Sequence, residues 1–173
     1  MPKQPMHNTR LAPLPEPITP PATLAAPSLP LDSSLFFKLV RVVNMTARPF
    51  QAGLGRAHQL TLNEWRVMVV LASHPGSAAT DIAEATGLDK MSVSRALAGL
   101  ARRDRVLLKS DSGDLRRSRV YLTASAKVLF AQIGRQAMQR EADVFSGVSA
   151  RELQSMGQTL DKLVLALKLA ETK

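Results

Sequence analysis

The fold of this chain is decided by residues 79–103, which read ATDIAEATGLDKMSVSRALAGLARR. The first eight of these residues predict a short helix that ends at Gly87, because glycine readily adopts the left-handed conformation that closes a helix. Asp89 is a typical cap for a second helix, which runs to about Arg103. The segment therefore predicts two short helices joined by a tight turn.

Small and apolar residues give this segment the spacing of a helix-turn-helix. Ala83 is small where the two helices approach each other, and Gly87 follows four residues later. Val93, six residues further on, is expected to be the buried anchor of the second helix. The same spacing also fits an αα-hairpin that only fills a protein core, so the charges around the segment must decide between the two interpretations.

A helix is predicted well before this segment, starting from Asp32 or Ser33, either of which can act as its cap. Its apolar side chains repeat at helical spacing: Leu35, Phe36, Leu39, Val40 and Val43. Pro49 is expected to kink or end this helix, because proline lacks an N–H group and its ring crowds the preceding turn.

A second helix is predicted to follow Thr61, which forms a capping box with Glu64 three residues later. The run His74-Pro75-Gly76 is expected to stop this helix. The side chains predicted to share its apolar face are Trp65, Met68, Val69 and Ala72.

The periodicity changes after the 79–103 segment. Residues 106–108 and 118–122 have the composition of strands, and residues 111–113 supply turn chemistry between them. This pattern predicts a β-hairpin.

Two helices are predicted after the hairpin. Thr123 begins a long helix that Gly147 ends. Ser149 and Glu152 then form a second capping box for a last helix with a broad apolar stripe.

The resulting fold class is mainly α with a small β-hairpin. Residues 1–32 hold nine of the eleven prolines, so they are expected to form a disordered, Pro-rich arm. The predicted divisions after the arm are an N-terminal helical region at 33–58, a helix-turn-helix with its hairpin at 59–123, and two C-terminal helices at 124–173.

The charge of the chain favours a polyanionic partner. The 23 Lys and Arg outnumber the 14 Asp and Glu, which gives a net charge of +9. Residues 90–119 alone carry nine basic against three acidic side chains. Nucleic acid is the first candidate for such a surface, and an anionic membrane surface is the second.

The composition excludes several other classes of protein. The chain has no Cys and three scattered His, which leaves no disulfide scaffold, no thiolate metal site and little material for a catalytic zinc. No nucleophile–base pair or phosphate-binding loop is visible, so no catalytic residue and no cofactor are expected. No apolar run is long enough to span a bilayer, and a cytoplasmic location is expected.

Candidate DNA-binding residues lie at the start of the helix that Asp89 caps. If Val93 and its helical neighbours point into the core, the outer face at this end carries Lys90, Ser92, Ser94 and Arg95. A helix that enters a major groove presents these first turns to base edges and phosphates. The alternative is a solvated surface without a partner.

Further candidates lie at the hairpin. Asp114 is spaced to hold Arg116 by a charge-assisted contact and to direct it toward a narrow minor groove. Arg117 and Arg119 are expected to contact phosphates. A hairpin tip that serves only solubility is again the alternative.

Together, these residues resemble the MarR family of winged-helix transcriptional regulators over about residues 33–172. The stretches that carry the resemblance are Leu60-Thr61, Asp81-Ile82-Ala83 with Gly87, residues 88–95, Asp114-x-Arg116, Leu122-Thr123 and residues 149–153. The chain departs from the family pattern at Asp104, where glycine is usual, and at Leu108, where a basic residue is common. The resemblance implies a winged helix-turn-helix with a helical dimerisation region, formed by residues 33–58 and 124–173.

The resemblance also implies partners. The family pairs as homodimers on pseudopalindromic double-stranded DNA, and many members respond to a small aromatic or phenolic anion. The residues in the segments that would line such a ligand site are Asn44, Arg48, His58, Trp65 and Arg66. A tryptophan at this position is also well explained as a packed core residue.

The sequence therefore predicts a sequence-specific, dimeric DNA-binding regulator, expected to be a repressor that a small aromatic or anionic ligand releases. The alternative is an architectural nucleic-acid-binding protein that tolerates any sequence. Comparable affinity for operator and random duplex would favour the alternative.

Overall fold

The structure is a computed structural model that describes residues 33–110 and 118–171, with the side chains of all but Glu171. The predicted arm at 1–32, the predicted cap Asp32 and the hairpin turn at 111–113 lie outside the described residues. So do Asp114, Arg116 and Arg117.

The chain divides into two units, Met1–Val42 and Val43–Lys173. Six α-helices and two strands occupy the described residues. In chain order they are α1 (Leu35–Phe50), α2 (Leu62–Ser73), α3 (Ala79–Thr86), α4 (Lys90–Ala101), β1 (Val106–Ser110), β2 (Ser118–Leu122), α5 (Ala124–Phe145) and α6 (Ala150–Glu171). This order confirms the predicted fold class, mainly α with a small β-hairpin.

The end of α1 differs from prediction. At its start, the Ser34 hydroxyl accepts the amide of Phe37. Pro49 does not end the helix, because α1 continues to Phe50 and passes directly into a π-helical turn at Gln51–Gly55. A wider turn at this point suits a proline, which cannot donate a backbone hydrogen bond and crowds the turn before it.

Side-chain caps begin the later helices where the sequence predicted them. Thr61 and Glu64 form the capping box of α2, with distances of 3.1 and 2.8 Å for the two reciprocal hydrogen bonds. Thr123 caps α5. At the start of α6 the Ser149 hydroxyl and amide both donate to the Glu152 carboxylate, and these two bonds, the hydroxyl's first, lower the pKa of that carboxyl below its ordinary value. The Glu152 amide donates in return to the Ser149 hydroxyl. These caps stabilise amide groups that would otherwise lack partners.

The predicted apolar face of α2 is wrong by one residue. The side chains that this helix buries are Glu64, Val67, Met68 and Leu71, whereas Val69 and Ala72 are exposed and Trp65 is half-buried. A pattern of apolar residues assigns a glutamate to the solvent side. Here Glu64 lies inside because Arg103 pairs with it.

The core of the second unit gathers side chains from α2 to α5 and from the hairpin. The most deeply buried are Val67, Met68, Leu71, Ile82, Val93, Leu100, Val120 and Ile133. Gly87 closes α3 in the left-handed conformation, with φ of 66°, as predicted. Asp104 adopts the same conformation, with φ of 52°, in the turn between α4 and β1, which aspartate tolerates better than most residues do.

The two strands pair antiparallel, with Val106 opposite Leu122 and Ser110 opposite Ser118. The segment after α2 joins them, because Ser77 forms an isolated bridge with Val120. The hairpin is thereby attached to the end of α2 and to the helix-turn-helix that follows.

Candidate nucleic-acid interface

Asp89 fixes the first turn of α4. Its carboxylate accepts the Ser92 amide on Oδ1 at 2.8 Å and the Ser92 hydroxyl on Oδ2 at 2.6 Å. These two hydrogen bonds, the hydroxyl's first, hold the pKa of the Asp89 carboxyl below its ordinary value. At neutral pH the cap is therefore ionised, and it fixes the start of α4.

The outer face of α4 is opposite its buried side chains. Val93, Ala96, Gly99 and Leu100 are buried, as predicted for the anchor Val93. The side chains exposed on the first turns are Lys90, Met91, Ser94, Arg95 and Ala98. Three of the four predicted DNA-binding residues of this helix thus lie on its exposed side.

Ser92 differs from the other three predicted residues. Its side chain is half-buried, and its hydroxyl donates to Asp89. In this arrangement Ser92 offers only acceptor lone pairs to a ligand, since its one proton is already used.

The hairpin of β1 and β2 (residues 106–122), called the wing below, follows α4 in the chain. Lys109 lies opposite Arg119 in the hairpin, and its ammonium is 5.4 Å from the centre of the Tyr121 ring. Arg119 is half-buried, and its Nη1 donates to the carbonyl oxygen of Gly76 at 3.2 Å. Arg119 thus connects the hairpin to the segment that follows α2.

Two arginines of the basic run have structural partners that the sequence pattern did not reveal. Arg103 Nη1 donates to Glu64 Oε1 at 3.2 Å and to the Gly99 carbonyl at 3.0 Å. Arg105 donates to the backbone oxygens of His58 and Gln59, at 2.6 and 3.2 Å. A buried carboxylate and a loop carbonyl far away in sequence carry no local signal that would have identified these contacts.

Arg105 is the more enclosed of the two. Burial lowers the pKa of its guanidinium below the ordinary value, and the neighbouring charge of Arg103 lowers it further. The side chain remains a cation at neutral pH and holds the loop before α2 against the base of the wing.

Of the five predicted ligand residues, Trp65 and Arg66 contact neighbouring side chains on or near α2. Trp65 stacks on Phe130, with ring centres 5.0 Å apart, and lies 6.0 Å from Phe50. Arg66 contacts the Asn63 side chain at 3.4 Å.

The other three are His58, which is half-buried, and Asn44 and Arg48, which are exposed on α1. Trp65 thus lies among packed aromatic rings, as expected if it serves the core.

In residues 33–110 and 118–171, no group of three or more His, Asp or Glu could hold a metal ion. In the same ranges, no helix is long and apolar enough to cross a membrane.

The fold and this surface define a class of protein. Two short helices at helix-turn-helix spacing, with an exposed basic start on the second and an antiparallel hairpin after it, form a winged helix-turn-helix.

Part of the chain matches a known family model. A family model described as "MarR family" matches residues 58–117, which confirms the predicted resemblance to MarR transcriptional regulators. These are DNA-binding regulators of transcription and not enzymes. A comparison with curated proteins gives no match.

Solved structures of MarR regulators share the fold. A MarR/EmrR-family regulator from Acinetobacter sp. ADP1 superimposes with a TM-score of 0.75 at 21% identity, over 82% of this chain and 99% of its own. MepR of S. aureus, solved with DNA, gives 0.70 at 20% identity, over 79% and 98%. BpsR of Bordetella bronchiseptica gives a TM-score of 0.68 at 22% identity, over 76% of this chain and 94% of its own. DNA binding by BpsR is regulated by 6-hydroxynicotinic acid.

Proposed function

We propose that this protein is a sequence-specific, dimeric repressor that binds double-stranded DNA through α4 and the wing and is released by a small aromatic acid. The observation that carries the proposal is the exposed start of α4. Lys90, Ser94 and Arg95 project from a helix that its buried residues and the Asp89 cap hold in place. This helix is the right size for a major groove.

These side chains are proposed to contribute differently to affinity and to sequence specificity. Lys90 supplies charge to phosphates, which gives affinity without sequence preference. Arg95 can form two parallel hydrogen bonds to the edge of a guanine, and the Ser94 hydroxyl can donate or accept. In the wing, Arg116 and Arg117 are proposed to contact the backbone or the minor groove, with Asp114 orienting Arg116, while Arg119 supports the hairpin's position.

The helices outside the winged helix support a homodimer. The exposed apolar side chains of α1 include Leu35, Phe36, Val42 and Met45, and those of α5 include Val128 and Met138. None of the side chains described in α6, residues 150–170, is buried. Apolar faces of this extent are typical of a protein interface, and a symmetric pair would place two α4 helices on a pseudopalindrome.

The release by a ligand rests on similar proteins. BpsR, with the same fold, is regulated by 6-hydroxynicotinic acid, and the structure of NadR contains 4-hydroxyphenylacetate. In this chain, an aromatic anion would find a ring to stack on at Trp65 and cations at Arg48 and Arg66. Asn44 and His58 are the proposed polar contacts.

Footprinting tests the whole proposal. The full chain is incubated with the DNA that flanks its own gene, alone and with a panel of aromatic acids. We expect a protected, pseudopalindromic site whose protection one class of acid removes. Equal protection along the whole fragment would instead indicate an architectural protein.

Replacing Arg95 by alanine should cost about 1–3 kcal/mol of binding free energy on the operator, because the guanine contact is lost. Affinity for a scrambled duplex should change far less. The matched control is Arg151→Ala, which removes the same charge from an exposed site at the start of α6. If both variants lose the same affinity on both duplexes, Arg95 acts only through its charge.

Replacing Arg116 by alanine should weaken binding evenly across sequences. A lost phosphate contact reduces the magnitude of the slope of log affinity against log salt, which is negative, by about 1. Titrations of operator and scrambled duplex at several salt concentrations measure this slope. An unchanged slope would remove Arg116 from the set of phosphate contacts.

A further inference from the structure

Met91 is a large apolar side chain on the surface proposed to meet DNA. It is 62% exposed and belongs to the first turn of α4. Ser94 and Arg95 follow it by three and four residues, so the three side chains are neighbours on one face of the helix. Ala98, also exposed, continues the same face one turn later.

Ser92, the residue next to Met91, is held by the cap. Its hydroxyl donates to Asp89 at 2.6 Å, and its side chain is half-buried. The exposed side chains among the first three residues of α4 are therefore Lys90 and Met91.

The chemistry of the major groove offers an apolar side chain a single suitable partner. Phosphates are hydrated anions, and an apolar group placed against one removes water without replacing its hydrogen bonds. The base edges in this groove are hydrogen-bond donors and acceptors, with the exception of the 5-methyl group of thymine. A methionine is flexible and polarisable, so it can cover such a methyl group closely.

We propose that Met91 determines sequence specificity by packing on the 5-methyl group of a thymine in each half-site. The inference rests on the proposed function and assigns to it a second contact with a DNA base. Four residues separate Met91 from Arg95, which is about 6 Å along the helix axis. The thymine therefore lies within about two base pairs of the guanine that Arg95 contacts, since successive base pairs are about 3.4 Å apart. Ala98 is small enough to let the helix approach the bases closely.

The test removes only the methyl group. Thymines of the footprinted operator are replaced one at a time by uracil, which keeps every hydrogen-bonding group, and affinities of the full chain are measured by fluorescence anisotropy. One uracil per half-site, close to the Arg95 guanine, should weaken wild-type binding about three- to five-fold, the value expected for one buried methyl group. Uracil at thymines outside the α4 footprint is the matched control and should have no effect.

The protein side of the test uses Met91→Ala and Met91→Leu. Met91→Ala should bind the unmodified operator more weakly and should no longer distinguish thymine from uracil at the sensitive position. Met91→Leu should restore that discrimination. Because Met91 is exposed, both variants should unfold at the wild-type temperature.

Two results would overturn the inference. One is a wild-type protein that binds its operator specifically yet ignores every uracil, and the other is a Met91→Ala variant that keeps the full methyl preference. Both leave the proposed function intact. Equal affinity of the wild type for operator and scrambled duplex would instead remove the proposed function itself, and the Met91 inference with it.

Discussion

Replacing Leu160 and Leu167 together by glutamate should convert the proposed dimer to a monomer and lower its operator affinity about 100-fold or more. Both residues are exposed in the single chain and lie two turns apart on one face of α6. The substitution therefore leaves the fold of the chain unchanged and acts on the contact between two copies.

The physical reason is that the chain buries none of the side chains described in α6, residues 150–170. The apolar stripe of α6 repeats at helical spacing and consists of Met156, Leu160, Leu163, Val164 and Leu167. Helices in water depend on such a stripe being buried, because their own propensity contributes little. In the proposed dimer a second copy provides the cover, whereas glutamates in the middle of that interface must give up their hydration without a partner.

The effect on DNA follows from linkage. In a dimer, binding of one α4 helix brings the second to its half-site at a high effective concentration. A monomer loses this advantage and binds each half-site separately.

Light scattering and gel shifts on one sample measure the two effects. The matched control is Gln154→Glu with Gln158→Glu, which adds two negative charges at exposed polar positions of α6. The control should remain dimeric and bind the operator with little loss. A wild-type monomer at micromolar concentration, or a double-glutamate variant that stays dimeric, would contradict the proposed dimer.

The features that the sequence predicted well are local ones. The caps Thr61, Asp89, Thr123 and Ser149 were identified because a cap needs only a residue and an amide three positions later. The exposure of Ser94 and Arg95 followed from the helical phase set by Val93. For the same reason, Gly87 could be assigned to a left-handed turn.

The features that escaped prediction depend on distant contacts. Glu64 lies on the buried face of α2, where Arg103 pairs with it from 39 residues away. Trp65 stacks on Phe130 from a helix much later in the chain. A one-dimensional pattern contains no information on which distant residues the fold brings together.

Replacing Glu64 by alanine should lower the free energy of unfolding by about 2–4 kcal/mol, although it removes one carboxylate. Glu64 is 4% exposed and has two roles. Its Oε2 accepts the Thr61 amide at the start of α2, and its Oε1 pairs with Arg103 just after α4. The alanine variant leaves the amide without its capping acceptor and the partly buried guanidinium without its anion.

A second ion pair in the same chain provides the matched control. Glu84 Oε1 accepts from Lys168 Nζ at 2.7 Å, which is shorter than the Glu64 pair, but its side chain is 68% exposed. Water screens such a pair, so Glu84→Ala should change stability by less than about 1 kcal/mol. Denaturant unfolding of both variants tests whether the burial of an ion pair or its N–O distance determines its contribution to stability. Equal losses of unfolding free energy would contradict the structural role assigned to Glu64.

Gly99 lies next to the Glu64–Arg103 pair and links its stability to DNA binding. A methyl group at Gly99 would collide with the Glu64 carboxylate, which is held on its other oxygen by the Thr61 amide. Gly99→Ala should therefore displace the carboxylate from Arg103 and loosen the same junction without removing a charge. Because this junction joins the last turn of α4 to the first turn of α2, we expect both Glu64→Ala and Gly99→Ala to lower operator affinity more than affinity for scrambled DNA. Specific contacts require the helix at a fixed angle, whereas phosphate attraction does not. Equal losses on the two duplexes would mean that the junction stabilises the fold without orienting α4.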